Sequence, residues 1–307
     1  MHRQHGIVLL IVLWMLTLIT IIATNYTTAT RTEMAISTAT RSTAVARAAA
    51  QAGIWMGVAK LSTRDIKSRW STAGEIYSQE FGDAELRISI QDQAGLIDLN
   101  GASAELLAAL FSNALPQLDA PMELVDQIMD WRDSDSTPEK LGAEDRDYHT
   151  GGLEYGAKDG PFNSVAELQQ LLAFNSDIYA AVAPLVTVYS GLSEVNIKTA
   201  PSAVLELMPG LSEPQIAQIL KARINGDFKA VTNALSATQR RFLTNVQSKF
   251  YEVRAEATVD NSHVTIAALV VMAPSSQRPY TILSWAEPAR PFGEQELILS
   301  RNEVGKS

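Results

Sequence analysis

From Ile7 to Ala23 the chain reads IVLLIVLWMLTLITIIA, interrupted only by Thr17 and Thr20. Wound as a helix, that run rises roughly 25 Å, the short end of what a bilayer core requires. Before it stands Met1–Gly6 (MHRQHG), a short polar stretch carrying Arg3. A basic flank of this kind stays cytoplasmic, which places the rest of the chain outside the inner membrane. A secretory signal peptide shares the apolar run but ends at a small-residue site resembling Ala-x-Ala. Ala23-Thr24-Asn25 supplies no such site, and Thr27–Ala29 leaves that alternative open. Positions 24–61 contain no proline, although Gly53 and Gly57 interrupt them. Met34, Ile36, Ala39, Val45, Ala48 and Ile54 fall at loose helical spacing. The apolar run therefore continues as one amphipathic helix, about 80 Å long if unbroken from Ile7 to Leu61.

The rest of the chain is long enough for one or two compact domains with their own cores. Its formal charge is −9, from 34 acidic and 25 basic residues. Sequence-independent nucleic-acid binding rests on Lys and Arg neutralising phosphates, so this balance disfavours it. The absence of cysteine excludes disulfides, thiolate metal sites and cysteine nucleophiles.

The middle of the chain repeats itself. Positions 97–107 (IDLNGASAELL) parallel positions 195–205 (VNIKTAPSAVL), and 125–132 (VDQIMDWR) parallel 216–223 (IAQILKAR). Gly160, Phe162 and Val165 close the first half, and Gly226, Phe228 and Val231 close the second. Each half reads as an extended entry followed by short helices. Pro201 suits a helix first turn, and Ser164 with Glu167 has capping-box spacing. The second half, with VNIKTA and MPGLS, resembles the helix-hairpin-helix family. DNA-binding members use a glycine-rich hairpin. This copy keeps Gly210 but has Ser212 and Glu213 after it, so a purely structural helical module is the favoured reading.

The two halves differ at one point. Only Ile224 and Asn225 separate Arg223 from Gly226, whereas Asp133 to Asp159 separate Arg132 from Gly160. The added loop carries eight carboxylates, Asp133, Asp135, Glu139, Glu144, Asp145, Asp147, Glu154 and Asp159, against three cations. A long structureless loop needs something to organise it, and calcium takes six to eight oxygens of the kind found here. Asp133-x-Asp135 begins like an EF-hand loop, but Pro138 stands where that loop needs glycine. A merely solvated acidic loop is the competing reading.

Around the module, Glu85–Ile90 alternates as a half-buried strand. Tyr251–Val259 and His263–Met272 read as a hairpin about Asp260-Asn261-Ser262, and Tyr280–Trp285 as a further strand. Four scattered histidines and no nucleophile elbow, phosphate loop or dinucleotide fingerprint argue against an enzyme. His149 beside the acidic loop is less apt than its oxygen neighbours for a hard cation.

A short basic leader ending in Gly6, followed by an apolar helix that becomes amphipathic, resembles the type IV pilins and pseudopilins. That resemblance implies cleavage by a prepilin peptidase between Gly6 and Ile7, with methylation of the new amino terminus. Most members carry glutamate at the fifth mature position, here Ile11. Its absence fits the K-type minor pseudopilins of the type II secretion system. The loop residues Trp131, Asp133, Asp135, Gly142, Ala143, Glu144, Asp145 and Tyr148 resemble that family too. The resemblance implies structural Ca2+ held by Asp133, Asp135, Glu144, Asp145 and Asp147. It implies an α+β fold: a long transmembrane and amphipathic helix, a pilin-like antiparallel sheet, and an inserted all-helical domain with two helix-hairpin-helix-like repeats. The expected division is 1–6 leader, 7–65 helix, 66–96 and 241–290 pilin-like, 97–240 inserted helical domain with acidic loop 133–159, and 291–307 flexible tail. The implied function is a minor pseudopilin at the tip of the periplasmic pseudopilus, initiating or capping assembly for protein export across the outer membrane. Its implied partners are the I- and J-type minor pseudopilins, the major pseudopilin, the prepilin peptidase and the inner-membrane assembly platform. A membrane-anchored helix-hairpin-helix DNA-uptake receptor is the alternative.

Overall fold

The computed structural model describes residues 5–63, 65, 68–273, 278–287 and 291–293. Arg3, most of the leader and residues 294–307 lie outside them. Helix α1 (His5–Ser62) is unbroken. It includes a window of mean hydropathy 2.8, none of it buried, long and apolar enough to cross a membrane. Threonine hydroxyls line this helix, and Thr17, Thr20, Thr24, Thr27, Thr28 and Thr30 each donate to the carbonyl four residues back. The polar atoms are thus satisfied within the helix itself.

Beyond Ser42 the helix lies on a sheet. Strands β1 (Ala73–Phe81) and β2 (Ala84–Asp92) form its first hairpin. The chain then leaves the sheet through the short strand β3 (Ile97–Asp98) and helices α2 (Ala104–Ala114), α3 (Pro121–Arg132), α4 (Asp145–Thr150) and α5 (Ser176–Val182). Strand β4 (Val186–Thr187) pairs parallel with β3. The second half repeats the pattern with β5 (Val195–Asn196), α6 (Ser202–Glu206), α7 (Glu213–Asn225), α8 (Phe228–Ala234) and α9 (Ala237–Arg240). Strand β6 (Leu243–Thr244) pairs parallel with β5, so the helical unit extends a few residues past the expected position 240. The chain returns as β7 (Phe250–Val259), β8 (Ser262–Met272) and β9 (Tyr280–Ala286), giving an antiparallel sheet in the order β1-β2-β7-β8-β9.

Two separate cores follow from this path. In the first, Leu86, Ile88 and Ile90 of β2 alternate inward with Val253, Ala255 and Ala257 of β7, against Ala46, Ala50 and Ile54 of α1. Glycines set the depth of the helix. A Cβ on Gly57 would overlap Val253 Cγ1, and one on Gly53 would stand 2.8 Å from Ala255 Cβ. Ser42 Oγ donates to Asp260 Oδ2 at 2.7 Å, tying the helix to the β7–β8 turn, where Asp260 takes φ 51°. A left-handed Asp or Asn suits such a tight hairpin. The second core, around Leu106, Leu110, Phe111, Ile128, Val204 and Ile219, belongs to the helical unit. The units meet at Asp92, whose Oδ1 accepts from Ala94 N–H and Ser248 Oγ, while Gln91 Nε2 donates to Thr199 O.

Two local expectations are corrected. Ser164 makes no side-chain capping bond, because Glu167 turns to Asn163 N–H and Lys158 instead, and the segment Val165–Gln170 is a 3-10 helix. Phe292, in the expected tail, is buried, its N–H donating to Glu256 Oε2.

Close packing at Gly57 yields a test. Gly57→Leu is expected to cost about 1–3 kcal/mol by overpacking, whereas Gln51→Leu on the exposed face stays within about 0.5 kcal/mol. Chemical denaturation of the detergent-solubilised full chain compares the two.

Candidate metal centre

Helix α3 ends at Arg132, with Trp131 buried and its ring tilted against those of Tyr148 and Phe162. Asp133 follows as the C-cap and opens the acidic loop. Its Oδ1 accepts from Asp135 N–H, and Asp135 Oδ1 accepts from Thr137 N–H, two successive turns that fold the loop back. Asp130, one turn earlier on α3 and fully buried, receives Glu139 N–H at 2.9 Å on Oδ1. Asp126 receives Leu141 N–H in the same way. The loop thereby returns along α3 and delivers Glu144 to Asp133 and Asp135. One oxygen from each of these three lies within 4.8 Å of the others.

This arrangement tests well as a cation seat. Glu144 is 6% exposed and its Oε1 has no hydrogen-bond partner among the described residues; Asp130 Oδ2 and Tyr148 Oη share that condition. A carboxylate oxygen in such a place is costly unless a cation or proton meets it. Glycines leave the room: a Cβ on Gly142 would overlap Asp130 Oδ2, and one on Gly156 would overlap Asp145 Oδ1. Burial, then the charges of Asp130, Asp159, Asp133 and Asp135, pushes Glu144 up to about 7. Asp130 is also raised, burial outweighing the N–H bonds it accepts from Glu139 and Ala143.

The structure brings together Asp133, Asp135 and Glu144. Asp145 and Asp147 lie instead on the first turn of α4, both exposed, with Asp147 Oδ2 accepting Glu144 N–H at 3.1 Å. His149 turns its Nδ1 to the Asp145 carbonyl. Asp130 escaped the sequence reading because it sits in a helical stripe rather than in the loop. The signal was present in the repeat, where its counterpart is Lys221.

A helix-hairpin-helix that binds DNA cradles a phosphate with backbone N–H groups at its hairpin. Gly210 takes φ 71°, but Ser212 N–H is occupied by Gln215 Oε1 and Leu211 N–H by Met208 O. Glu213 follows directly. These amides are spent within the protein, so the hairpin holds helices together.

A long apolar helix laid on an antiparallel sheet, with a helical unit spliced between β2 and β7, is the architecture expected of a pilin-like subunit. Residues 89–191 match the family model for type II secretion system (T2SS), protein K. The type II secretion system protein K of Klebsiella pneumoniae is 26% identical over 263 residues, covering 76% of this chain and 80% of that protein. A chain from the crystal structure of the GspK-GspI-GspJ complex of the enterotoxigenic Escherichia coli Type 2 Secretion System shares the fold. Its TM-score is 0.53, with 16% identity, covering 85% of this chain and 99% of that one. By these comparisons the chain is similar to protein K, a minor pseudopilin of the type II secretion system.

The raised carboxyl of Glu144 gives a pH dependence. The unfolded side chain titrates near 4.5 and the folded one near 7. Between those values the native state holds more protons, so stability falls as pH rises through that window. With a chelator present, the melting midpoint is expected to be higher at pH 5 than at pH 7.5, and Glu144→Gln should flatten the difference. An equal slope in the variant would assign the dependence elsewhere.

Proposed function

We propose that this chain is a K-type minor pseudopilin that stands at the tip of a periplasmic pseudopilus, anchored by α1 in the inner membrane, where it initiates or caps assembly for export across the outer membrane. One observation carries the tip position: Ile11 lies in the uncharged run of α1 where most pilin-like subunits carry a glutamate. That carboxylate pairs with a neighbour's terminal amine inside the filament. A subunit with no neighbour above it would hold a buried charge without a partner. The helical unit, bulky and attached at the sheet end, supports the same reading, since nothing needs to stack over it. The role is structural and non-enzymatic.

The partners proposed are the I- and J-type minor pseudopilins, in keeping with the Escherichia coli complex, then the major pseudopilin and the assembly platform. The prepilin peptidase would cut between Gly6 and Ile7 and methylate Ile7. The chain purified from membranes by a carboxy-terminal tag is expected to carry I- and J-type subunits and to begin, by mass spectrometry, at methylated Ile7. Cleavage near residue 29 would overturn the anchored reading, and tight, salt-sensitive duplex binding in a mobility assay would revive a DNA receptor.

Calcium is the cation proposed for the acidic loop, held by Asp133, Asp135 and Glu144, with Asp145 and Asp147 in the adjoining turn of α4 and buried Asp130 behind them. Bound there, a hard divalent cation would neutralise crowded carboxylates and crosslink the loop. Calcium should raise the thermal midpoint over that in chelator, because a ligand bound by the native state alone stabilises it. An unchanged midpoint would remove calcium from the account.

A further inference from the structure

The internal repeat carries a built-in comparison, because the same corner exists once with the acidic loop and once without it. In the second half, Arg223 Nη2 donates to the carbonyls of Ile197 (2.8 Å) and Ala200 (2.5 Å). In the first half, Arg132 donates to the matching carbonyls, Leu99 at 2.5 Å and Ala102 at 2.8 Å. Closure at the far end is shared as well. Gly226 N–H bonds Ala222 O, and Gly160 N–H bonds the counterpart carbonyl of Trp131. The clamp and the closure therefore belong to the module itself, and the loop was spliced between them.

One pair differs. Where the second half has Lys198 with its Nζ 5.4 Å over the ring of Phe228, the first has Asn100 in a two-way bond with the backbone of Phe162. Phe162 N–H donates to Asn100 Oδ1 at 2.7 Å, and Asn100 Nδ2 donates to Phe162 O at 3.0 Å. The corner that holds Asn100 is itself fixed, since Asp98 Oδ1 accepts from Asn100 N–H and Gly101 N–H. One rigid corner thus grips both ends of the acidic loop: the residue just before Asp133, through Arg132, and the segment just after Gly160, through Asn100.

We infer that Asn100 and Arg132 are positioning residues for the cation seat, holding the two ends of the loop so that Asp133, Asp135 and Glu144 converge before any ion arrives. This rests on the calcium reading above. Fixing the ends reduces the chain entropy lost when the loop closes on a cation. Partners behind a ligand set are worth about 10–100-fold in metal affinity in other sites.

The experiment is calorimetric titration of calcium into the chelator-stripped, detergent-solubilised full chain, with melting of the calcium-free protein alongside. Asn100→Ala is expected to weaken calcium binding by roughly tenfold or more. Lys198→Ala, its counterpart in the loopless half, should leave that affinity within about twofold while shifting the calcium-free midpoint comparably. Arg132→Lys, which keeps the charge but loses the fork, reads the other end, with Arg223→Lys as its control, and should weaken calcium where its control does not. A merely structural role would move the midpoints of all four and the affinity of none, and that result overturns the inference while leaving calcium binding intact. No binding by the wild-type chain would instead sink the calcium reading, and the inference with it.

Discussion

The folded part of the chain depends on the close seat of α1 against the sheet. Lipid asks a helix to be apolar all round, whereas a sheet asks only for one smooth face. The chain meets the second demand with small residues: Ala46, Ala50, Gly53 and Gly57 let the backbone approach β2 and β7. The sheet then has one covered face, and its strands can be interrupted after β2 without losing register. Helices inserted between β2 and β7 form their own core, so the anchored unit is not required to rearrange around them.

Insertion into one loop of a sheet, and of an acidic loop into one half of that insertion, follows the same physical rule. A segment can be added wherever its two ends are already close and held. β2 and β7 are hydrogen-bonded neighbours, and Asp92 with Ser248 closes the gate between them. Arg132 and Gly160 stand in the same relation one level down, which is why a carboxylate-rich stretch could lodge there without disturbing α3.

Much of this was legible from residues alone. The unbroken helix followed from absent prolines, β2 from its alternation, and the module from the parallel between 97–107 and 195–205. The splice point of the acidic loop emerged from the same parallel. What stayed hidden depends on the third dimension. The Ser164–Glu167 spacing promised a cap, yet Lys158 offered Glu167 a stronger, charged partner. Asp130 looked like one more polar position on α3, because only the returning loop makes it buried. Asp145 and Asp147 could not be separated from Glu144 by spacing, since the start of α4 falls between them. Phe292 was invisible as a core residue because its partner, Glu256, lies on the far side of the sheet from α1.

The threonines of α1 have a further consequence. No charged residue occurs between Ile7 and Thr30, a stretch of about 36 Å against a hydrocarbon core near 30 Å. Each threonine hydroxyl in the surplus turns carries its own acceptor, the carbonyl four residues back, so moving it from headgroups into oil breaks no bond to the protein. Set in a bilayer, such a helix would have several ångströms of axial play before Arg31 met the interface.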